Sequence, residues 1–226
     1  MGAPADLAAA PASAAAVFGA ALPQVEAYAA LLAGPGVERG LLGPREAPRL
    51  WERHLLNCAG LAELLEPGEV VADVGSGAGL PGVVLALLRP DVTVLLVEPL
   101  LRRSTFLDEV VAALGLRTAV VRRARAEELA GTLLVDTVVA RAVAPLDRLA
   151  AWSLPLLRPG GRLLAVKGDR ADGELASSGA ALRAAGAAAS TVVTVGNEAD
   201  RTSARVVVVT RGDAPAAGSR RPGRRR

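Results

Sequence analysis

The sequence is poor in cysteine, histidine and aromatic residues. Its 226 residues contain one Cys, one His, two Phe, two Trp and one Tyr. The lone Cys58 excludes an internal disulfide and fits a reducing compartment, so we expect a cytoplasmic protein. Because Cys and His do not cluster, the sequence predicts no metal site. With so few aromatic side chains, binding of nucleic acid by base stacking is disfavoured, and contacts between Arg and phosphates become the expected mode.

Long hydrophobic runs are also missing. No apolar run reaches the ~20 residues of a membrane span. The Ala-rich N-terminus lacks the Arg or Lys that opens a signal peptide, so we expect no membrane partner. The chain is nevertheless 51% hydrophobic, which is enough for a sizeable core. Its length suits one ordinary domain with an appendage.

Lysine is almost absent, and the basic charge is unevenly distributed. Of the 26 basic residues only Lys167 is a lysine, which indicates a position where Arg would not serve. Residues 211–226 carry six Arg and one Asp, a net charge of +5 against +3 for the whole chain, so the remainder is slightly acidic. We therefore expect residues 212–226 to be a disordered basic tail that either samples phosphates nonspecifically or serves only solubility.

Residues 70–82 carry the first functional signal. They read VVADVGSGAGLPG and include Asp73, Gly75, Gly77, Gly79 and Leu80. The apolar run predicts a strand buried on both faces. The alternating glycines predict a turn whose backbone comes close to a ligand, and Pro81 suits the first turn of a helix. Strand, glycine turn and helix together predict a mononucleotide-type site.

Two acidic residues indicate which ligand this site takes. A glycine pattern alone is shared with dinucleotide-binding proteins. Asp73 would repel a pyrophosphate, whereas S-adenosylmethionine (SAM) carries an ammonium and a sulfonium and no phosphate. Glu98 ends the next predicted strand, 19 residues after Gly79, at the spacing of an acidic residue that holds ribose hydroxyls. The sequence therefore favours SAM.

From Glu69 onward, predicted strands and helices alternate, which indicates a parallel sheet flanked by helices. The last two strands, near 188–195 and 204–210, are close enough to form a hairpin. Two helices, at 12–33 and 45–66, precede the first strand. We predict an α/β, Rossmann-like SAM-dependent methyltransferase fold, with a mostly parallel seven-stranded sheet and an antiparallel hairpin end. An N-terminal helical cap would span 1–66, the methyltransferase domain 67–211 and the tail 212–226.

Six strings in order closely resemble the RsmG family, also called glucose-inhibited division protein B. They are RHLLNCA, DVGSGAGLPG, RRSTFL, RAEEL, ARAVAPL and LLAVKG, within residues 50–210. The resemblance implies SAM-dependent methylation of N7 of a guanine in the decoding region of 16S ribosomal RNA. The substrate would be the small ribosomal subunit or a precursor, and we expect the enzyme to be a monomer.

The resemblance also implies roles for particular residues. The backbone around Gly75 and Leu80 would hold the methionine part of SAM, with Asp73, Gly77 and Gly79 in the same segment. Glu98 would hold the ribose, Ala126 and Glu127 would border the adenine, and Arg141 would close the pocket on the RNA side. Arg125, Arg141, Lys167 and Arg201 match positions that hold the RNA, although Arg205 competes with Arg201 for its match.

Guanine N7 has a free lone pair and no proton to lose, so its methylation needs positioning and electrostatics rather than a general base. The absence of an N-P-P-[YF] motif and of a Pro-Cys nucleophile agrees with this chemistry. Cys58 is expected in the core, and His54 is expected to pack or hydrogen-bond rather than catalyse. Three alternatives stay open: a methyltransferase acting on a protein or small molecule, a nucleotide-binding oxidoreductase, and a ribosome-associated protein with an inactive pocket.

Overall fold

The computed structural model describes residues 7–197 and 203–213. Within these residues a seven-stranded sheet has the order β3-β2-β1-β4-β5-β7-β6. The strands are β1 Val70–Val74, β2 Thr93–Val97, β3 Ala119–Arg122, β4 Val135–Arg141, β5 Leu157–Val166, β6 Ala187–Val195 and β7 Ala204–Arg211. Strands β1 to β5 pair in parallel, and β7 is antiparallel to both β5 and β6. The predicted sheet, with its antiparallel hairpin end, is confirmed.

Helices cover both faces of this sheet. They are α1 Ala12–Phe18, α2 Leu22–Leu31, α3 Leu56–Ala59, α4 Gly82–Leu88, α5 Leu101–Leu114, α6 Leu146–Ser153 and α7 Ala171–Ala184. Alternate residues of β1 face opposite layers: Val71 packs with the N-terminal helices, α4 and α5, while Ala72 and Val74 pack with α6 and α7. Both layers bury apolar side chains, as expected for a parallel sheet covered on two faces.

The N-terminal helices depart from the prediction in detail. A 3-10 turn at Gly19–Ala21 divides α1 from α2, and a π-helical turn at Leu32–Gly36 continues α2 through Pro35, where we expected a break at residue 33. The wider π turn accommodates a residue whose ring and missing N–H would interrupt regular α-helical bonding. The second predicted helix consists of short segments that alternate 3-10, π and α geometry between Ala47 and Leu64.

Two boundaries within the methyltransferase region also differ. Helix α4 begins at Gly82, so Pro81, which we expected in the first turn, is its N-cap residue. The segment Pro159-Gly160-Gly161 has residues typical of a turn, yet it lies inside β5, where the pairing with β4 shifts register. A Cβ at Gly161 would lie 2.7 Å from the carbonyl oxygen of Asp136, so glycine permits this close approach of two strands.

Ala12–Gly36 forms one helical stretch of 25 residues with a mean hydropathy of 1.4 in its most apolar window. By length and composition it could cross a membrane, which corrects our expectation that no such segment exists. Its many alanines give it a high mean hydropathy although it has no run of large aliphatic side chains. Within it, Val25, Tyr28 and Leu32 are fully buried in the cluster that covers one face of the sheet. Part of the stretch therefore packs against the core, and 28% of its most apolar window is buried.

The N-terminal cap packs directly on the glycine segment. The hydroxyl of Tyr28, fully buried on α2, donates a hydrogen bond of 2.8 Å to the carbonyl oxygen of Ala78. The amide of Gln24 bonds to the carbonyl oxygen of Leu114 at the end of α5, 3.1 Å away. Cap and sheet thus share one core; the proposed division at residue 66 remains a prediction.

Tyr28→Phe tests this packing. The substitution keeps the ring and removes the only donor to the Ala78 carbonyl from α2, so we expect the free energy of unfolding to fall by about 1–2 kcal/mol. Denaturant unfolding measures the change. Gln24→Ala, which removes a partly buried bond at the other end of the contact, is the comparison variant. A Tyr28→Phe protein as stable as the parent would contradict a structural role for the hydroxyl.

Candidate functional site

A cleft of about 490 Å³ opens at the carboxyl ends of β1, β2 and β4. This edge of a parallel sheet is where ligands of such folds bind. The predicted site residues on its walls are Gly75, Gly77, Leu80, Glu98, Arg125, Ala126, Glu127 and Arg141. The structure therefore brings most of the predicted cofactor residues together around one cavity.

Two glycines of the loop after β1 require their residue type. Gly75 has a φ of +71°, and a Cβ there would lie 2.9 Å from the side chain of Val143 on the opposite wall. Gly77 has a φ of +61°, in the left-handed region that favours glycine. The backbone N–H groups of Gly75 and Ser76 both bond to the carbonyl oxygen of Val97, which fixes the loop to the end of β2.

Asp73 lies behind this loop and not on the cleft wall. Its carboxyl group is fully buried, and Oδ2 accepts hydrogen bonds from the Ser76 hydroxyl at 2.6 Å and the Gly82 N–H at 3.0 Å. Among the described residues Oδ1 has no hydrogen-bond partner. We predicted that this carboxylate would lie beside the ligand; instead it joins the loop to the start of α4.

Burial raises the pKa of Asp73 to about 6, although the bonds from Ser76 and Gly82 and the charge of Arg141 oppose the shift. A neighbouring negative charge on Glu98 adds to the increase. Ionisation of this carboxyl is therefore unfavourable in the folded chain, because the free energy lost by dehydration exceeds the stabilisation from its hydrogen bonds and from Arg141.

Gly79 also faces the interior rather than the cleft. A Cβ at this position would lie 2.5 Å from Val83 and 2.7 Å from the hydroxyl oxygen of Tyr28. Its φ of +102° is equally unfavourable for other residues. Gly79 allows α2 and α4 to pack against the back of the loop. Its predicted role in binding the cofactor stays a prediction.

Glu98 holds the cleft side of the same loop. Its side chain is nearly fully buried, with Oε2 accepting from the Gly77 N–H and Oε1 from the Leu100 N–H, each at 3.0 Å. Arg103 lies 3.7 Å from Oε2. Each carboxylate oxygen has a further lone pair, so the group can also accept from the two hydroxyls of a ribose. The geometry thus fits the role predicted for Glu98.

The far wall of the cleft combines two predicted site residues with residues that the sequence did not indicate. Ala126 is buried and Glu127 is exposed at the start of a 3-10 turn, Ala126–Leu129. Leu42 from the cap and Trp152 from α6 also line the cleft. No spacing in the sequence relates these two side chains to the glycine loop, since the tertiary fold alone brings them there.

Arg141, at the end of β4, lies where the first cleft meets a second one of about 690 Å³. Its Nη1 donates to the carbonyl oxygen of Arg53 at 3.2 Å, and its Nη2 lies 2.9 Å from Nδ1 of His54. The next residue, Ala142, lines both clefts and has a φ of 56°, a strained value for a residue with a Cβ. Strain of this kind concentrates at functional sites.

Four cationic and two acidic side chains line the second cleft. Charged side chains on its walls are Arg141, Lys167, Arg170, Arg205, Asp169 and Glu174. The side chain of Lys167 is only 7% exposed; its Nζ donates to the carbonyl oxygen of Ala144 at 2.6 Å and pairs with Glu174 at 2.7 Å. A compact ammonium fits between these two oxygens, which agrees with the expectation that this position favours lysine over arginine.

The predicted RNA-contacting residues do not all meet. Arg141 and Lys167 line the second cleft together with Arg205, whereas Arg125 lies on the wall of the first cleft beside Ala126. Arg125 follows β3, on the other side of β1 from β4. Arg201 and the basic tail beyond residue 213 lie outside the described residues.

The buried Asp73 carboxyl has a testable pH dependence. Its pKa is higher in the folded chain than in the unfolded one, so the folded state binds more protons, and ionisation costs stability as pH rises from about 4 to about 6. Asp73→Asn removes this ionisation. We expect the stability of the variant relative to the parent to increase over this pH range, measured by denaturant unfolding at each pH. A constant difference would contradict the raised pKa.

A family model described as GidB, rRNA small subunit methyltransferase G, matches residues 21–204. Ribosomal RNA small subunit methyltransferase G of Mycolicibacterium vanbaalenii is 54% identical over 215 residues, covering 93% of each chain. The protein of the same name from Streptomyces avermitilis is 55% identical over 212 residues, covering 93% of this chain and 89% of its own.

Solved structures with the same fold include the SAM-dependent methyltransferase SibL. It is 19% identical, with a TM-score of 0.59, covering 82% of this chain and 62% of its own. A SAM-dependent O-methyltransferase from Thermotoga maritima is 16% identical, with a TM-score of 0.54, covering 74% and 66%. These likenesses confirm the predicted Rossmann-like methyltransferase fold. The family match and the close relatives identify the chain as a member of the GidB family, the SAM-dependent rRNA small subunit methyltransferases G.

Proposed function

We propose that this enzyme methylates N7 of one guanine in the decoding region of 16S ribosomal RNA. The observation that carries the proposal is the contact between its two clefts. One fits SAM, the other is lined by cations, and Arg141 and Ala142 form their common wall. A guanine base bound in the second cleft would thus be separated from the SAM site only by this common wall.

The first cleft has the features that SAM requires. Glu98 offers acceptor oxygens for a ribose, and the apolar side chains of Leu42 and Trp152 with Ala126 provide a surface for an adenine. We propose that Gly75, Gly77 and Leu80 line the methionine end, with Asp73 and Gly79 shaping the loop from behind. SAM supplies an electrophilic methyl group on its sulfonium; the chain's residues hold and orient the two reactants.

The side chains near Arg141 agree with a reaction that needs no general base. His54 is already bonded to both Arg141 and Glu46. Burial raises the pKa of Cys58 to about 11, which leaves it as an unreactive thiol at neutral pH. Guanine N7 attacks through its own lone pair and loses no proton, so neither His54 nor Cys58 is needed as a base.

We further propose that Arg141, Lys167 and Arg205 contact the RNA from the second cleft, with Arg125 at the edge of the first and Arg201 in the segment beyond β6. The enzyme would act as a cytoplasmic monomer on the small subunit or its precursor. A slightly acidic domain with one cationic cleft favours a structured particle as substrate, because nonspecific attraction to RNA would be weak.

The decisive experiment is methyl transfer from labelled SAM to small subunits taken from cells that lack the protein, followed by nucleoside analysis. We expect the label in 7-methylguanosine of 16S RNA. Label in another nucleoside would overturn the N7 assignment. Label in protein, or SAM binding with no transfer to RNA, would favour the alternative of a protein or small-molecule methyltransferase.

Glu98→Gln tests the cofactor assignment. The amide keeps the shape of the side chain but removes the charge and one acceptor, so we expect SAM affinity to fall by about 10- to 100-fold. Isothermal titration calorimetry measures the dissociation constant. Glu109→Gln, an exposed carboxylate on α5 that pairs with Arg39, is the matched control and should bind like the parent. Equal affinity in all three proteins would place the ribose elsewhere.

Arg141→Ala tests whether Arg141 acts in methyl transfer to RNA rather than in SAM binding. We expect methyl transfer to small subunits to fall by at least about 100-fold, because a charged contact at the common wall is lost, while SAM affinity changes much less. Arg158→Ala is the control, since Arg158 pairs with Asp136 at the far end of β5. A parallel loss of SAM affinity and transfer in the Arg141 variant would refute the separate roles.

A further inference from the structure

Three side chains connect the cap to the common wall of the clefts. His54 lies on the π-helical turn Trp51–Leu55, with its side chain 14% exposed. Its Nε2 is 2.8 Å from Oε2 of Glu46, and its Nδ1 is 2.9 Å from Nη2 of Arg141. The Arg53 carbonyl oxygen also accepts from the Arg141 guanidinium. The cap therefore holds Arg141 through two neighbouring residues.

The chemistry of these partners determines the state of the imidazole. A guanidinium has only donors and stays protonated at any physiological pH, so Nδ1 of His54 must accept from it. The proton of the neutral ring is then on Nε2, which donates to the Glu46 carboxylate. A doubly protonated ring would present an N–H group and a positive charge to Arg141. This arrangement therefore requires a neutral His54 in one tautomer.

The charged surroundings of His54 favour the neutral form. Burial and the charge of Arg141 lower the pKa of His54, with a smaller decrease from Arg53, while the bond to Glu46 and its charge act in the opposite direction. Arg53 also lies 3.7 Å from Glu46, and Arg49 further lowers the pKa of that carboxyl. On its other side, burial raises the pKa of Asp73 and of Cys58, and the charge of Arg141 partly opposes both increases.

We propose that His54 is a positioning residue that holds Arg141 at the common wall of the two clefts, and that protonation of the imidazole releases it. The neutral ring orients the guanidinium by accepting a hydrogen bond at Nδ1, and its Nε2–H group donates a hydrogen bond to Glu46. Protonation replaces one acceptor with a donor and adds charge repulsion, so the contact is lost. The consequence for catalysis rests on the proposed function, whereas the contact itself does not.

His54 is the only histidine in the chain, so imidazole NMR of the untagged protein reports on this residue alone. We expect nitrogen shifts of the Nε2–H tautomer and an imidazole pKa below the usual ~6.5. Arg141→Ala should raise this pKa and Glu46→Gln should lower it, because the two partners carry opposite charges. An Nδ1–H tautomer, or a pKa that is unchanged in both variants, would overturn the proposal without reference to activity.

Two isosteric replacements separate the two ring nitrogens in the activity assay. Asn places an acceptor near the position of Nδ1 and Gln places one near Nε2, so only His54→Asn retains a partner for Arg141. We expect kcat/KM for methyl transfer to fall by about 10- to 100-fold in His54→Gln and by much less in His54→Asn. Equal losses in the two variants would show that the site needs the ring's bulk and not its Nδ1 acceptor.

The pH profile provides the readout that a purely structural role would not change. Activity of the parent should fall as pH drops through the imidazole pKa measured by NMR, and His54→Asn should lack this decrease. The same decrease in both proteins would assign it to another group and contradict the release of Arg141. If the parent does not methylate small subunits at all, the proposed function fails, and the NMR titration still decides whether His54 holds Arg141.

Discussion

The buried carboxyl of Asp73 is the constraint around which the site is built. It lies where β1 ends, and it bonds at once to the loop through Ser76 and to the start of α4 through Gly82. A Cβ at Gly82 would lie 2.6 Å from the Asp73 carboxylate, so glycine is needed for α4 to begin this close to it. The Tyr28 hydroxyl donates a hydrogen bond to the Ala78 carbonyl oxygen and thereby connects the cap to the same loop. Because these contacts form on the buried side, the opposite side of the loop is free to face the cleft, where Glu98 fixes Gly77.

Charge is distributed so that each cleft has a distinct character. The first combines the nearly buried carboxylate of Glu98, which suits a ribose, with apolar side chains, and its walls also carry charged groups: Glu127, Arg103, Arg125 and Arg141. The second collects the guanidinium and ammonium groups at the ends of β4, β5 and β7, and their neighbours hold them in place: Lys167 by Glu174, Arg205 by Asp172 and Arg141 by His54. Preorganised cations of this kind lose little freedom when an anionic substrate arrives. The cap contributes both a wall of the first cleft and the support of Arg141, so it belongs to the site as much as to the core.

The central sheet could be predicted because each parallel strand buries both faces and reads as an apolar run, with glycine or proline at its ends. The order of elements and the short connection between β6 and β7 then left few topologies open. The cap was harder. Its apolar periodicity predicted helices correctly, but the π and 3-10 turns around Pro35 and between Ala47 and Leu64 depend on packing against α4, α5 and the end of β6. Gly60, for example, approaches the Gly196 nitrogen so closely that its Cβ would be only 3.0 Å away.

For the candidate site, the sequence by itself determined which residue types stand at the carboxyl end of each strand: glycines after β1, Glu98 after β2, Ala126 and Glu127 after β3, and Arg141 after β4. Spacing along the chain carries this information because each such segment follows its own strand directly. Only the tertiary structure decided which way these side chains point and what lies beside them. It turned Asp73 and Gly79 into the core, separated Arg125 from Arg141 and Lys167, and brought His54, Leu42 and Trp152 to the clefts. The physical reason is that direction and proximity follow from packing between distant segments, which no local pattern encodes.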